Sequence, residues 1–323
     1  MRLATLTLFV SLLATPLLAL DGAWTAALQD DRDHVYFAMT TGPHHNDATT
    51  MTLASFTNLT PSQVNAAAMT PVNFELRREA GSFSFEGTFR NGKGAGQFTF
   101  APERSYIDKL RALGVPFELG KSRHREISVD EKLYVLAQND VSTSFIKSMQ
   151  SLGYRTTLEK YLAMRIFNIT PEYVREMESL GFGKIDQDDL VSSKIQGVTP
   201  KFVRDMRTAG WKLSLEEYQA ARIHGATPEF AAEMKRLGYP DLAFNHIVSF
   251  RIHGVTAEFI TALRALGYDH VSPDDLVAMR IHGVTPEYIK ELRGAGYEKV
   301  PVRKLVEMRI HGIDAKMVKA MSN

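Results

Sequence analysis

The chain has 323 residues, with Lys+Arg 38 set against Asp+Glu 37 and a formal net charge of +1. That balance excludes a global basic footprint for nucleic acid. The absence of cysteine excludes a disulfide framework, a thiolate metal site and a lipidated N-terminal cysteine.

Residues 1–20 read as a signal peptide. Arg2 is the positive start, Leu3 to Leu13 the apolar core, and Thr15 to Ala19 a short exit of mostly small residues. The apolar run is short for a membrane span. The expected product is exported, periplasmic or secreted, with no membrane span after signal cleavage. Residues 21–101 change period. Segments 35–39, 51–56 and 72–76 read as strands, and Phe83, Phe85, Phe89, Phe98 and Phe100 alternate with polar residues. Turns are expected at Ala80-Gly81 and at Asn91-Gly92-Lys93-Gly94, and a short helix at 61–69. The expectation is a small antiparallel sheet of five or six strands with one apolar face. Residues 102–127 form a connector. Tyr106 to Gly114 looks like the first helix of a C-terminal stack, and Lys121 to Arg125 is a basic, solvated link.

From residue 128 to 323 one unit recurs. Gly197, Gly225, Gly254, Gly283 and Gly312 are spaced by 28 or 29 residues, with Asn168 and Asp140 in the same place in the earlier copies. A second glycine, as in Gly153, Gly181, Gly210, Gly238, Gly267 and Gly296, keeps the same beat and is always followed by an aromatic. Such a period means stacked helical hairpins. The first helix opens at a capping pattern such as Ser214-Leu215-Glu216-Glu217 and stops at His-Gly. Leu276, Val277, Met279 and Ile281 are placed together on its apolar face. The second helix opens at Thr-Pro-Glu, where Thr285 caps and Pro286 takes the first helical position. Helices of about ten residues are too short to stand alone, so neighbouring copies must stack. The fold class expected is α+β in two parts: a small antiparallel sheet, then a solenoid of about seven 28–29-residue repeats forming a curved rod.

One row of side chains stands out: Arg222/His224, Arg251/His253, Arg280/His282 and Arg309/His311. Arginine offers a fork for carboxylate or phosphate, so the row is the candidate binding surface. The competing reading is structural, with the histidine serving free carbonyls of the last turn and the arginine pairing with a neighbouring glutamate. Phe167 and Gln196 interrupt the histidines and Lys194 the arginines, which confines a binding row to the C-terminal half.

No metal or cofactor is expected. The histidines of the row lie one repeat apart, too far to share a zinc. The cluster Pro43-His44-His45-Asn46-Asp47 reads as a surface turn. No catalytic set emerges either. Ser144-Phe145-Ile146-Lys147 has the Ser-x-x-Lys spacing of penicillin-recognising enzymes but lacks the partner motifs. The glycines at 92–96 lie between strands, where a phosphate cradle is not built.

The repeat copy "MRIHGVTPEYIKELRGAGY" resembles repeats found in exported bacterial proteins. Some of these lie C-terminal to membrane metallopeptidase domains of the beta-lactam-sensor type. The segment "VNFELRREAGSFSFEGTFRNGKGAGQFTFAP" is similar to the sheet region preceding such repeats. The resemblance implies an extracytoplasmic sensing or interaction role. It does not carry proteolysis over, because the peptidase part and its zinc motif are absent here. The expectation is thus a non-enzymatic, exported interaction module with another envelope protein as partner. The alternative is a small-molecule or glycan-binding protein of the bacterial envelope using the aromatic strands or a crevice between sheet and solenoid.

Overall fold

The computed structural model describes residues 20–41, 45–122 and 125–321. The leader expected at residues 1–20 falls outside them, except for Leu20. The fold is α+β: a six-stranded antiparallel sheet followed by an array of helices. Two compact units divide the chain, one ending at Ile166 and the other beginning at Phe167.

In the first unit the strands are β1 (Leu20–Leu28), β2 (His34–Thr41), β3 (His45–Thr52), β4 (Thr70–Arg78), β5 (Gly81–Arg90) and β6 (Lys93–Pro102). Their order in the sheet is β3-β2-β1-β6-β5-β4, with every pairing antiparallel. The hairpin at Asn91-Gly92 has positive φ at both residues, 48° and 77°, as a two-residue turn that matches strand twist requires. The strand expected at 51–56 is displaced. It runs over His45–Thr52, and Leu53–Ser55 forms a single 3-10 turn. The short helix near 61 is α1 (Pro61–Val64), capped by Thr60 in a full capping box.

The sheet curls around its aromatic face. Trp24 on β1 stacks on Phe37 of β2 at 5.5 Å between ring centroids and meets Phe74 of β4 edge-on at 5.2 Å, although β4 lies three places away in the sheet. Phe37 also meets Phe85 at 5.1 Å. Gly87 and Gly96 face each other across β5 and β6, and a Cβ on Gly87 would come within 2.7 Å of the Trp24 ring. Only glycine lets the indole lie flat on the strands there. The indole N–H donates to the Glu86 carbonyl.

Helices come next: α2 (Tyr106–Ala112), α3 (Val129–Gln138), α4 (Thr143–Ser151) and α5 (Leu158–Ile166), with the two-residue strands β7 (Lys121–Ser122) and β8 (Arg125–Glu126) between α2 and α3. Tyr134 of α3 caps the aromatic face, 5.5 Å from Phe83 and 5.4 Å from Phe100. Glu79, just after β4, accepts from the backbone N–H and the hydroxyl of Thr143, the first residue of α4. Arg78 pairs with Asp140 at 3.4 Å, and Tyr106 donates to the Val141 carbonyl. Burial, with the charges of Glu79 and Asp140, pushes the Tyr106 phenol well above its usual range. These contacts bind the first repeats to the sheet.

The second unit holds α6 (Pro171–Met177), α7 (Gln187–Ile195), α8 (Pro200–Thr208), α9 (Leu215–His224), α10 (Pro228–Arg236), α11 (Phe244–His253), α12 (Ala257–Ala265), α13 (Pro273–Ile281), α14 (Pro286–Gly294), α15 (Val302–Ile310) and α16 (Ala315–Met321). Each of the helices α6, α8, α10, α12 and α14 starts at a threonine whose hydroxyl accepts from the N3 amide, as Thr285 does from Tyr288. The glycine beat marks left-handed residues: φ is 70° at Gly283 and 93° at Gly296. Asp140 and Asn168, standing where later copies have glycine, adopt 51° and 50°. Asp and Asn tolerate that region better than other side chains. Val284 N–H reaches the Met279 carbonyl and Tyr297 N–H the Leu292 carbonyl, and the helices α7 to α15 all close in such a Schellman turn, whereas α6 runs on into a π-helical turn at Glu178–Phe182.

Candidate functional site

The helices α9, α11, α13 and α15 pack directly on one another, each the first helix of its copy. Their buried residues are spaced by three, as Leu276 and Met279 are. Residues five after the first buried position turn through about 140° and face away. Ile281, expected on the buried stripe, therefore points outward and is 54 % exposed, and Val277 is half-buried. Ile223, Ile252 and Ile310 do the same, with exposures of 61, 51 and 55 %. Sequence reasoning missed this row. Its signal was present: isoleucine recurs between the Arg and the His at an offset that no buried stripe can use.

The arginines beside them have a definite packing role. Arg222 lies over the Phe202 ring at 5.0 Å, Arg251 over Phe230 at 4.9 Å, Arg280 over Phe259 at 5.0 Å and Arg309 over Tyr288 at 4.9 Å. Each Nε–H donates to a carbonyl at the end of the preceding first helix: Gln196, His224, His253 and His282, at 3.2–3.4 Å. The partner is thus a free carbonyl and an aromatic face, not a neighbouring glutamate. A guanidinium there meets both the negative helix end and the ring quadrupole. None of these four guanidiniums forms an ion pair with a carboxylate of the described residues. Arg222, Arg251 and Arg280 are exposed, and Arg309 is half-buried.

His224, His282 and His311 are exposed and His253 is half-buried. Among the described residues their imidazoles have no hydrogen-bond partner; the carbonyls of His224, His253 and His282 serve the next arginine. The expected histidine cap on the last turn is therefore supplied by the arginine of the following copy. The structure brings Arg251 to His224, Arg280 to His253 and Arg309 to His282 through these carbonyls. The outer surface reads Ile, His, Arg and again Ile from copy to copy.

Other candidates resolve differently. Phe83, Phe85, Phe98 and Phe100 are 0–2 % exposed, so they offer no ring to a ligand. Ser144 and Lys147 are exposed positions on α4, and the Ser144 hydroxyl bonds to that of Ser142. Gly42 to His44 lie outside the described residues, and Asn46 and Asp47 belong to β3. Among the described residues no three His, Asp or Glu side chains are grouped to hold a metal ion. Among them, too, no helix is long and apolar enough to cross a membrane. In the first unit an open cleft of about 420 Å³ is lined by Ile107, Arg111, Gly114, Val115, Pro116 and Phe117.

No family model matches the chain, and no curated protein or solved structure is significantly similar to it.

Proposed function

We propose that this chain is a non-catalytic, exported binding module whose interaction surface is the outer face of the first helices in the second unit. One observation carries the reading. In every copy from α9 to α15 an aliphatic side chain points into solvent beside a guanidinium that no carboxylate of the described residues neutralises. Packing alone gives no reason for an exposed isoleucine at this position, which recurs at Ile166 and Ile195 as well as in the four copies from α9 to α15. Repeat proteins use such extended faces to hold partners, and exposed apolar side chains in contiguous rows mark interaction sites. The leader-like start and the likeness of the repeats to those of exported bacterial proteins favour a partner in the bacterial envelope, with the chain periplasmic or secreted.

A cross-linked pull-down from envelope extract tests the proposal. The parent chain is run beside a variant with Arg251, His253, Arg280 and His282 changed to Ala, both first checked for folding. The expected result is a protein captured by the parent and lost by the folded variant. Equal capture would move the surface elsewhere, and capture by neither would remove the partner reading. The small-molecule alternative rests on one observation, the cleft beside Arg111. It predicts ligand-dependent thermal shifts that Arg111→Ala, at an exposed lining position, abolishes.

A further inference from the structure

The first copy of the repeat differs from the later ones at the residue under the arginine. Arg165 is the counterpart of Arg222, Arg251, Arg280 and Arg309. It lies over Phe145 at 5.3 Å and donates through Nε to the Asn139 carbonyl at 2.9 Å, the same two contacts that the later arginines make. Its Nη2 does something further. It holds the carboxylate of Asp140 at 3.3 Å. Asp140 stands where the later copies carry glycine.

In those copies the guanidinium lies directly over that glycine. A Cβ on Gly197 would be 2.8 Å from Nη2 of Arg222. The matching distances are 3.0 Å for Gly225 and Arg251, 3.0 Å for Gly254 and Arg280, and 3.1 Å for Gly283 and Arg309. The glycine leaves Nη2 without a side chain beneath it, where Asp140 supplies its carboxylate in the first copy. The chain therefore shows by its own example what this cradle takes.

We infer that the Arg-over-Gly rungs at Arg222, Arg251, Arg280 and Arg309 each bind a carboxylate of an acidic, extended peptide whose aliphatic residues pack on Ile223, Ile252, Ile281 and Ile310. The inference rests on the binding-module reading and names its partner. Two further arguments fix the ligand's form. Neighbouring first helices are about 8–10 Å apart. A polyproline-type strand returns to the same face every three residues, about 9.3 Å. A β-strand returns after about 6.6 Å and a helix after about 5.4 Å, so neither keeps step with the rungs. A single file of side chains is also narrow for a globular partner, which takes about 800 Å² from each side. The charges agree, since Nη2 of each guanidinium can donate a charge-assisted hydrogen bond to a carboxylate while Nε stays on its carbonyl, as Arg165 does with Asp140.

The probe is a labelled peptide of five Ile-Glu-Pro copies, titrated with the full chain and followed by fluorescence anisotropy. We expect saturable binding that weakens with salt and falls at least tenfold when Gln replaces every Glu in the peptide. The combined variant Gly225→Asp, Gly254→Asp, Gly283→Asp fills the cradles from within, as Asp140 does. It is expected to keep the parent's circular dichroism and lose at least tenfold in affinity. Should it misfold, Ile252→Ser with Ile281→Ser, both at exposed positions, gives the same tenfold test. No saturable binding at millimolar peptide, equal binding of the Gln peptide, or full affinity in the folded variants would overturn the inference. Self-association that the Ile→Ser pair abolishes, without peptide binding, would assign the face to a second copy and also overturn it. A partner captured from extract together with no peptide binding would sink this inference alone and leave the binding-module reading in place.

Discussion

The two units hold themselves together in opposite ways. The first unit depends on contacts made once, between different elements: Trp24 with Phe37, Phe74 and Phe85, and Glu79 with Thr143. The helices of the second unit repeat one small set of contacts. These are a threonine cap, a left-handed glycine, two buried residues per first helix and an arginine tied to the copy before. A unit built on single contacts fails as a whole when one is removed. A unit built on repeated contacts loses a share. The repeated unit can therefore vary its outer face without risk to its core.

The largest expected effect lies in the sheet. Trp24→Ala removes the ring that four strands share and leaves the Glu86 carbonyl without its donor. It should cost about 3–5 kcal/mol and unfold the first unit, read by near-UV circular dichroism and urea titration. Met279→Ala, equally buried, should cost about 2–3 kcal/mol, with hydrogen exchange rising in α11 to α15 while the sheet strands stay protected. Collapse of the whole chain in that variant would break the contrast between the units.

Alkali sharpens it next. Burial pushes the Tyr173 phenol up to about 12, and its hydroxyl donates to the Val198 carbonyl. A raised folded value means that this stability is fully present below the unfolded value of 10.0. It is lost as pH rises from there toward 12, by an amount on the order of 2–3 kcal/mol. Absorbance at the phenolate band should therefore rise together with loss of helix in the second unit. Titration of Tyr173 near pH 10 in folded protein would contradict this. Arg280→Gln removes a ring contact and a carbonyl contact and should cost about 1–2 kcal/mol. Ile281→Ser should lie within about 0.5 kcal/mol of the parent in thermal unfolding, as a solvated surface change does.

Much of this organisation was legible in the residues. Glycine, Asn168 and Asp140 announced the left-handed closures, and Thr285 and Ser214 announced the caps, because those features are local. The strands were harder. β1, with three alanines and two leucines around Trp24, lacks a clean alternation. β3 carries His45, Asn46, Asp47 and then Ala48, Thr49 and Thr50 before Met51, so nothing in it resembles a half-buried strand. It is placed by pairing with β2. The candidate surface was half legible. The Arg and His row could be read from the period. The outward isoleucines could have been read from their offset of five from the first buried position, whereas the carbonyl under each guanidinium could not, because it depends on where the previous copy's helix ends.

The central claim is that the chain binds through the repeated face and not through the sheet unit. Isoleucine-methyl spectra of the full chain, recorded while the acidic Ile-Glu-Pro peptide is added, test it most directly. The predicted result is a set of shifts at Ile223, Ile252, Ile281 and Ile310, with the buried Ile247, Ile260 and Ile289 of the same unit nearly still. Shifts confined to Ile107 beside the cleft of the first unit would contradict it, and no shifts at all would remove the acidic peptide as the ligand of that face.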